Sequence, residues 1–285
     1  MPHVEIHGTS LDYAEHGSGD PVVLVHGSVS DRRTWENQFE TLGRHYRVIA
    51  YSRRYHWPNQ PIPGGADYRM EEHVDDLGAV IRSLANAPVH LIGHSYGAFL
   101  CLLLAIREPQ LVRTLVLEEP PAITLFVSSS PKPGEILSLM FRRPRTATAI
   151  LTFGARGIGP AASAISKGNR EKCVRHLGYA TLGRDAFHRL SDSRLQQVRE
   201  NLIDRELLGS GFAPLEDEQV RSVQNPTLLL TAERSPRLFH HLADRLSELL
   251  PNVETATIPD ASHIMQEDNP NAYNSAVLSF LERQG

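Results

Sequence analysis

The stretch Val89-His90-Leu91-Ile92-Gly93-His94-Ser95-Tyr96-Gly97-Ala98 constrains this chain more than any other. A short apolar run ends in Gly93-His94-Ser95-Tyr96-Gly97, and a second apolar run, Phe99 to Ile106, follows at once. The pattern reads as strand, sharp turn and helix, with a serine at the turn. It fits G-x-S-x-G, in which a strained turn lifts a serine hydroxyl above the edge of a sheet. Gly93 and Gly97 suit points where strand and helix pass too closely for a Cβ. The helix starts at Tyr96, so its first N–H groups and positive end face the reacting centre. A Gly/Ser turn in any α/β protein could show the same five letters. The β-type run before it and the apolar helix after it make Ser95 a candidate nucleophile.

The 285 residues suit one large α/β domain with an insertion, or two domains. Hydrophobic residues are 41%, enough for a substantial core. The net charge of -4 comes from 29 basic and 33 acidic residues, a near balance that gives no reason to expect nucleic acid or an anionic membrane as partner. Two scattered cysteines, Cys101 and Cys173, make no disulfide framework. Cys101 lies in the apolar helical run and reads as a small core hydrophobe. The first residues have neither a basic start nor an apolar stretch, so no signal peptide is expected. No run approaches the roughly 20 apolar residues that span a bilayer. The expectation is a cytoplasmic protein with a small-molecule substrate and no nucleic-acid or membrane partner. Whether it forms a homodimer stays open.

Taken in order, Val4 to Ile6 and Leu11 to Glu15 read as short strands, and Pro21 to Val25 as a strand buried on both faces. That strand runs into His26-Gly27-Ser28. Asp31 can cap a helix carrying Trp35, Phe39 and Leu42. Tyr46 to Tyr51 is the next strand, and Ser52 to Gly65 is irregular. Glu71 to Leu84 has helical spacing, with Val74, Leu77, Ile81 and Leu84 on one face. After the Ser95 turn, Thr114 to Leu117 is another buried strand, ending at Glu118-Glu119-Pro120-Pro121. This alternation predicts an α/β fold with a mostly parallel sheet flanked by helices. The rhythm then stops. Residues 122–213 show no strong strand, only helix-like pieces at 136–141, 146–153, 170–179 and 195–207. So long a stretch is unlikely as bare loop, and it reads as a helical cap or lid. The sheet pattern resumes with Pro226 to Thr231, a helix from Leu238 to Leu250 and the strand Val253 to Ile258. A last helix runs from Ala272 to Leu281. The core is therefore 1–121 and 214–285.

With the Ser95 turn, the His26-Gly27 turn and the late His263 in view, the chain resembles the α/β-hydrolase fold superfamily. The order and type of elements match over nearly all of the core. The resemblance implies a Ser…acid…His triad, and it puts the general base at His263, in the loop Asp260-Ala261-Ser262-His263-Ile264-Met265. Serine needs such a base to take its proton, and histidine titrates near neutrality. The acid departs from the commonest pattern. An aspartate is expected a few residues past the strand ending at Thr231, and Ser235 stands about there. Some members of the superfamily, haloalkane dehalogenases and a fungal-lactone hydrolase group among them, carry the acid one strand earlier, which points to Glu119. Glu118 and Glu233 are the alternatives. Adjacent residues on a strand point to opposite sides, so only one of Glu118 and Glu119 is expected to face the histidine.

The resemblance also implies an oxyanion hole made by the backbone N–H groups of Ser28 and Tyr96. It casts His26 as a structural residue of its loop. Relatives often have an Asp-x-x-Gly-x-Gly-x-Ser turn after the strand ending near Ala50, and this chain lacks it. Arg53 and Trp57 stand there instead and are candidate pocket-wall residues, with an ordinary surface loop slightly favoured. In the cap, Phe126, Leu139, Met140, Phe141, Ile150 and Phe153 could line the pocket or only pack the cap. The implied activity is that of a serine hydrolase of a small organic ester or lactone, with no cofactor and no metal. Carbon–carbon bond hydrolysis of a diketone-like acid, with arginines near position 53 holding the carboxylate, is the alternative. Cofactor-free oxygenation or a lyase-type proton transfer would use a similar triad. A non-catalytic ligand receptor on the same scaffold is the reading from another class.

Overall fold

Successive side chains of the strand Pro21–Val25 sort onto two faces, as period-two geometry requires. Val22 and Leu24 join one apolar cluster, while Val23 and Val25 join another. A computed structural model of the chain describes residues 2–86 and 88–284. Its strands are β1 (His3–Ile6), β2 (Thr9–His16), β3 (Pro21–Val25), β4 (Arg47–Tyr51), β5 (Val89–His94), β6 (Val112–Glu118), β7 (Thr227–Ala232) and β8 (Val253–Ile258). They form one sheet in the order β1-β2-β4-β3-β5-β6-β7-β8. The two pairings of β2 are antiparallel, and β4 to β8 pair in parallel.

Helices cover both faces. On one side lie α1 (Glu36–Gly43) and, from the chain's end, a helix over Pro270–Glu282; Leu42 with Tyr273, Val277 and Phe280 packs on Val22, Leu24, Ile92 and Val116. On the other side α2 (Met70–Leu84) and α3 (Tyr96–Arg107) place Val74, Leu77 and Phe99 against Val23, Val25, Leu91 and Leu115. The chain leaves β3 for β4 on one side and returns to β5 on the other. Connections therefore diverge above the carboxyl ends of β3 and β5, the usual place for a site in an open parallel sheet. His26-Gly27-Ser28 follows β3, and Ser95 follows β5.

Between β6 and β7 the described chain is helical: α4 (Pro133–Arg142), α5 (Pro144–Phe153), α6 (Gly159–Ser166), α7 (Arg170–Thr181), α8 (Arg184–His188), α9 (Asp192–Glu200), α10 (Asp204–Leu208) and α11 (Asp217–Arg221). One small core gathers Ala161, Cys173, Val174, Leu177, Val198 and Leu202. Another joins Leu139 and Ile150 to Leu238, Phe239 and Leu242 of α12 (Arg237–Leu249), so this part of the insertion is packed onto a helix that flanks the sheet. A wide π-type turn, Gly154–Ile158, links α5 to α6. A Cβ on Gly157 would stand 2.2 Å from the Ala180 Cβ, so the close approach to α7 needs glycine there. The expected helix 195–207 is two helices. Asn201 leaves helical geometry at φ -104° and ψ 9°, and its buried amide bonds to Asp31. After β8 come α13 (Met265–Asp268) and α14 (Pro270–Glu282). Cys101 and Cys173 are both buried and free.

Candidate active site

β5 runs straight into α3, and Ser95 makes the turn at φ 50° and ψ -118°. A serine held there stores about 1–3 kcal/mol of backbone strain, which its surroundings must impose. A Cβ on Gly93 would lie 2.6 Å from the Cα of Ala98, and one on Gly97 2.2 Å from the Val25 carbonyl oxygen. The Ser95 N–H donates to the Glu118 carbonyl at 2.8 Å. The expected strained turn is thus the observed one.

His263 lies in the loop between β8 and α13. Its Nδ1 donates to Glu119 Oε2 at 2.6 Å. The Phe239 ring stacks on the imidazole, with centroids 4.0 Å apart and 20° between planes. His94 Nε2 donates to the His263 carbonyl at 2.8 Å. The ring is therefore held on its acid side and on one face, and Nε2 is its remaining nitrogen. Ser95, His263, Ser28 and Tyr96 all line one cavity of about 480 Å³.

Glu119 follows β6 directly and is buried. Its backbone has φ 44°, a left-handed conformation uncommon for a side chain of this size. The carboxylate accepts from the Ala232 N–H at 2.9 Å and from the Ser235 hydroxyl at 2.8 Å, besides His263. Ser235, at the position where an aspartate was expected, serves as a donor to the carboxylate from the neighbouring strand. Glu118 faces the other way. It is buried, accepts from the Tyr273 hydroxyl at 2.5 Å, and burial pushes its pKa well above the usual carboxylate range. Glu233 is exposed and accepts the Asp260 N–H at 2.8 Å. Neither is shown bonded to His263.

The pocket-wall expectation fails for three residues: none of Arg53, Trp57 and Phe126 is among the cavity-lining residues. Arg53 is fully buried behind the wall. It donates to the carbonyls of His26 and Gly27 at 3.1 and 2.9 Å, to the Tyr68 hydroxyl at 2.6 Å and to Glu206 at 3.2 Å. An isolated buried guanidinium would be costly, and these acceptors explain why it can stay there. Arg53 thereby fastens the His26-Gly27 turn. His26 completes the fastening: its Nδ1 donates to the Gly27 carbonyl and its Nε2 accepts the Arg53 N–H, both at 2.9 Å. Burial, helped by the Arg53 charge, holds its pKa well below the ordinary histidine value. Trp57 lies under the Arg33 guanidinium at 3.8 Å, and its N–H bonds to Asn201. Phe126 packs in the apolar cluster below the insertion. Of the other insertion residues considered, Ile150 and Phe153 line the cavity, Leu139 is internal packing, and Met140 and Phe141 are exposed.

Sequence reasoning missed Arg194, Phe239 and Glu206, which also line the cavity. Arg194 sits in α9 among many surface charges, and no spacing marks it out. Glu206 is paired with Arg53 at 3.2 Å and accepts the Tyr68 hydroxyl at 3.1 Å. Most of the remaining wall is apolar, with Val29, Ile158, Leu177 and Phe212 among its members.

A mostly parallel sheet with a serine on a strained turn at its switch point, lining the same cavity as a histidine held by a buried carboxylate, is the arrangement of a class of α/β proteins. The chain belongs to the alpha/beta hydrolase fold family, whose model matches residues 20–270. The uncharacterized hydrolase YraK of Bacillus subtilis is 30% identical over 132 residues, 46% of this chain and 49% of that protein, so the chain spans about half the length of that relative. The 2-(acetamidomethylene)succinate hydrolase of Mesorhizobium japonicum is 24% identical over 98% of this chain and 94% of its own. Among solved structures, an alpha/beta hydrolase of Sphaerobacter thermophilus superposes with a TM-score of 0.71 at 24% identity, covering 98% of this chain and 100% of that one. A meta-cleavage product hydrolase of Pseudomonas fluorescens does so at 0.62 and 18%, covering 100% and 98%. At these identities the structures speak to fold alone.

Proposed function

We propose that this hydrolase is a cofactor-independent serine enzyme that cleaves a small organic ester or lactone through an acyl-enzyme, with Ser95, His263 and Glu119 as its triad. Ser95 Oγ attacks the carbonyl carbon and its proton passes to His263 Nε2. Glu119 steadies the imidazolium through Nδ1, and the N–H groups of Ser28 and Tyr96 hold the oxyanion. His263 then gives its proton to the leaving oxygen. It next takes a proton from water, which attacks the acyl carbon, and the acid product leaves as the Ser95 hydroxyl re-forms. Residues 122–213 act as the cap over the cavity.

The observation that supports this reading most is the 2.6 Å contact of His263 Nδ1 with the buried Glu119, which accepts three hydrogen bonds, while His263 itself lines the cavity that Ser95 also lines. The same residues would serve hydrolysis of an acid-bearing substrate, including a carbon–carbon bond next to a ketone. The name of the Mesorhizobium relative, a hydrolase of a succinate derivative, favours that second reading. A fluorophosphonate probe tests the common core. It is expected to label Ser95, with labelling abolished in Ser95→Ala. An unlabelled native protein that also leaves short p-nitrophenyl esters intact would favour a ligand receptor on the same scaffold.

A further inference from the structure

We infer that Arg194 binds a free carboxylate on the substrate, away from the bond that is cut, and so selects acid-bearing substrates; this rests on the hydrolase reading above. Arg194 is the one lysine or arginine among the described residues that line the cavity. The acid on that wall, Glu206, is already engaged by Arg53 and Tyr68. Arg194 is thus the cation available to an anionic group in a largely apolar chamber.

The side chain is fixed in advance. Its Nε donates to both oxygens of Glu267, at 3.1 and 2.9 Å. Glu267 lies four residues past His263 and is itself held by the Thr34 hydroxyl at 2.5 Å. The helix that carries Arg194, α9, is tied to the core further along. Gln197 and Asn201 both donate to the buried Asp31, at 3.0 and 2.6 Å, and Glu200 pairs with Arg33 at 2.7 Å. A guanidinium has five donors in a rigid fork, and Glu267 takes only the Nε end. Nη1 is closed to solvent and has no partner, whereas Nη2 is not among the buried atoms and makes no hydrogen bond with the described residues, so Nη2 is the donor open to a ligand. A buried donor on a charged group is costly when unpaired, and such atoms collect at functional sites. A carboxylate meeting that open end of the guanidinium would form a charge-assisted bond to it. Glu267 offsets the net charge but leaves these directional donors unused. A purely structural arginine would have both ends of its fork tied.

The test measures binding without turnover. In Ser95→Ala, titration calorimetry at neutral pH compares the monomethyl esters of succinate, glutarate and adipate with their dimethyl esters. At least one monoester is expected to bind about tenfold more tightly than its diester, the size of one charge-assisted contact. Arg194→Gln in the same background is expected to remove that preference while leaving diester affinity in place. Arg194→Lys is expected to keep part of it, because an ammonium supplies the charge without the fork. Equal affinities for monoester and diester, or no detectable monoester binding, would overturn the inference. So would a Gln variant that weakens both ligands alike. Fluorophosphonate labelling of the native chain decides the hydrolase reading separately: labelled Ser95 with no acid preference sinks the Arg194 assignment alone.

Discussion

Ser235 stands where the commoner arrangement would put an aspartate, and its hydroxyl donates to a glutamate one strand over. Glu119 follows β6, and the serine past the end of β7 reaches it. Two variants weigh these parts. Glu119→Gln is expected to lower kcat by about a thousandfold or more, since the amide cannot stabilise the imidazolium or fix its tautomer. Ser235→Ala removes one bond to a charged group, roughly 1.5–3 kcal/mol, and is expected to lower kcat by about ten- to a hundredfold. Steady-state kinetics on a short ester reads both, and a Ser235→Ala enzyme with native kcat would show that the Ala232 N–H suffices. At this scale the sequence told a good deal. Period-two geometry says that only one of Glu118 and Glu119 can face the histidine. Which one depends on the register of β6 and on the left-handed backbone at Glu119, and neither is written in the residue types.

Elements were legible where burial is one-dimensional. Strands such as Pro21–Val25 are β-branched runs, and helices such as Met70–Leu84 repeat their apolar residues at helical spacing. Legibility failed where a distant polar partner decides the backbone. Residues 195–207 read as one helix until Asn201 turns its amide into the core. There it donates to Asp31 at 2.6 Å and accepts the Trp57 N–H at 2.8 Å. The loop at 52–65 misled for the same reason: its Arg53 serves carbonyls of the β3 turn, a contact across the sequence that composition cannot show. Asn201→Ala would leave the Trp57 backbone N–H without its partner, a loss of about 1–3 kcal/mol, and remove one of several bonds to Asp31, which keeps Arg33 and Gln197. Thermal unfolding is expected several degrees lower, with the boundary between α9 and α10 losing hydrogen-exchange protection first. Unchanged protection there would mean that the other ties of α9, Gln197 to Asp31 and Glu200 to Arg33, hold that boundary without Asn201.

Across the whole molecule, the 14 histidines set the response to acid. Counted as residues they suggest surface groups, yet burial holds His26, His56, His73 and His94 well below the ordinary histidine pKa and lowers His90 to about 4. In the unfolded chain these groups titrate near pH 6.5. Below that pH the unfolded state takes up protons that the native state refuses. Stability is therefore full above about pH 6.5 and falls as pH drops, each group contributing up to about 1.4 kcal/mol per pH unit. Glu118 acts in the opposite sense. Burial raises its native pKa, so between its unfolded and native values the folded protein holds one extra proton, offsetting one histidine. Urea unfolding is expected to show a plateau near pH 7–8 and a steep decline from about pH 6.5 to 5. His73 offers the sharpest check, because both its ring nitrogens are buried without partners in a cage of Tyr55, Tyr68 and Tyr96. His73→Leu removes no hydrogen bond and a refused proton. It is expected to leave stability at pH 8 within about 1 kcal/mol while flattening the acid decline by one proton's slope. A decline as steep as the native one would mean that His73 gains its proton in the folded protein, and that the tyrosine cage opens well before the sheet does.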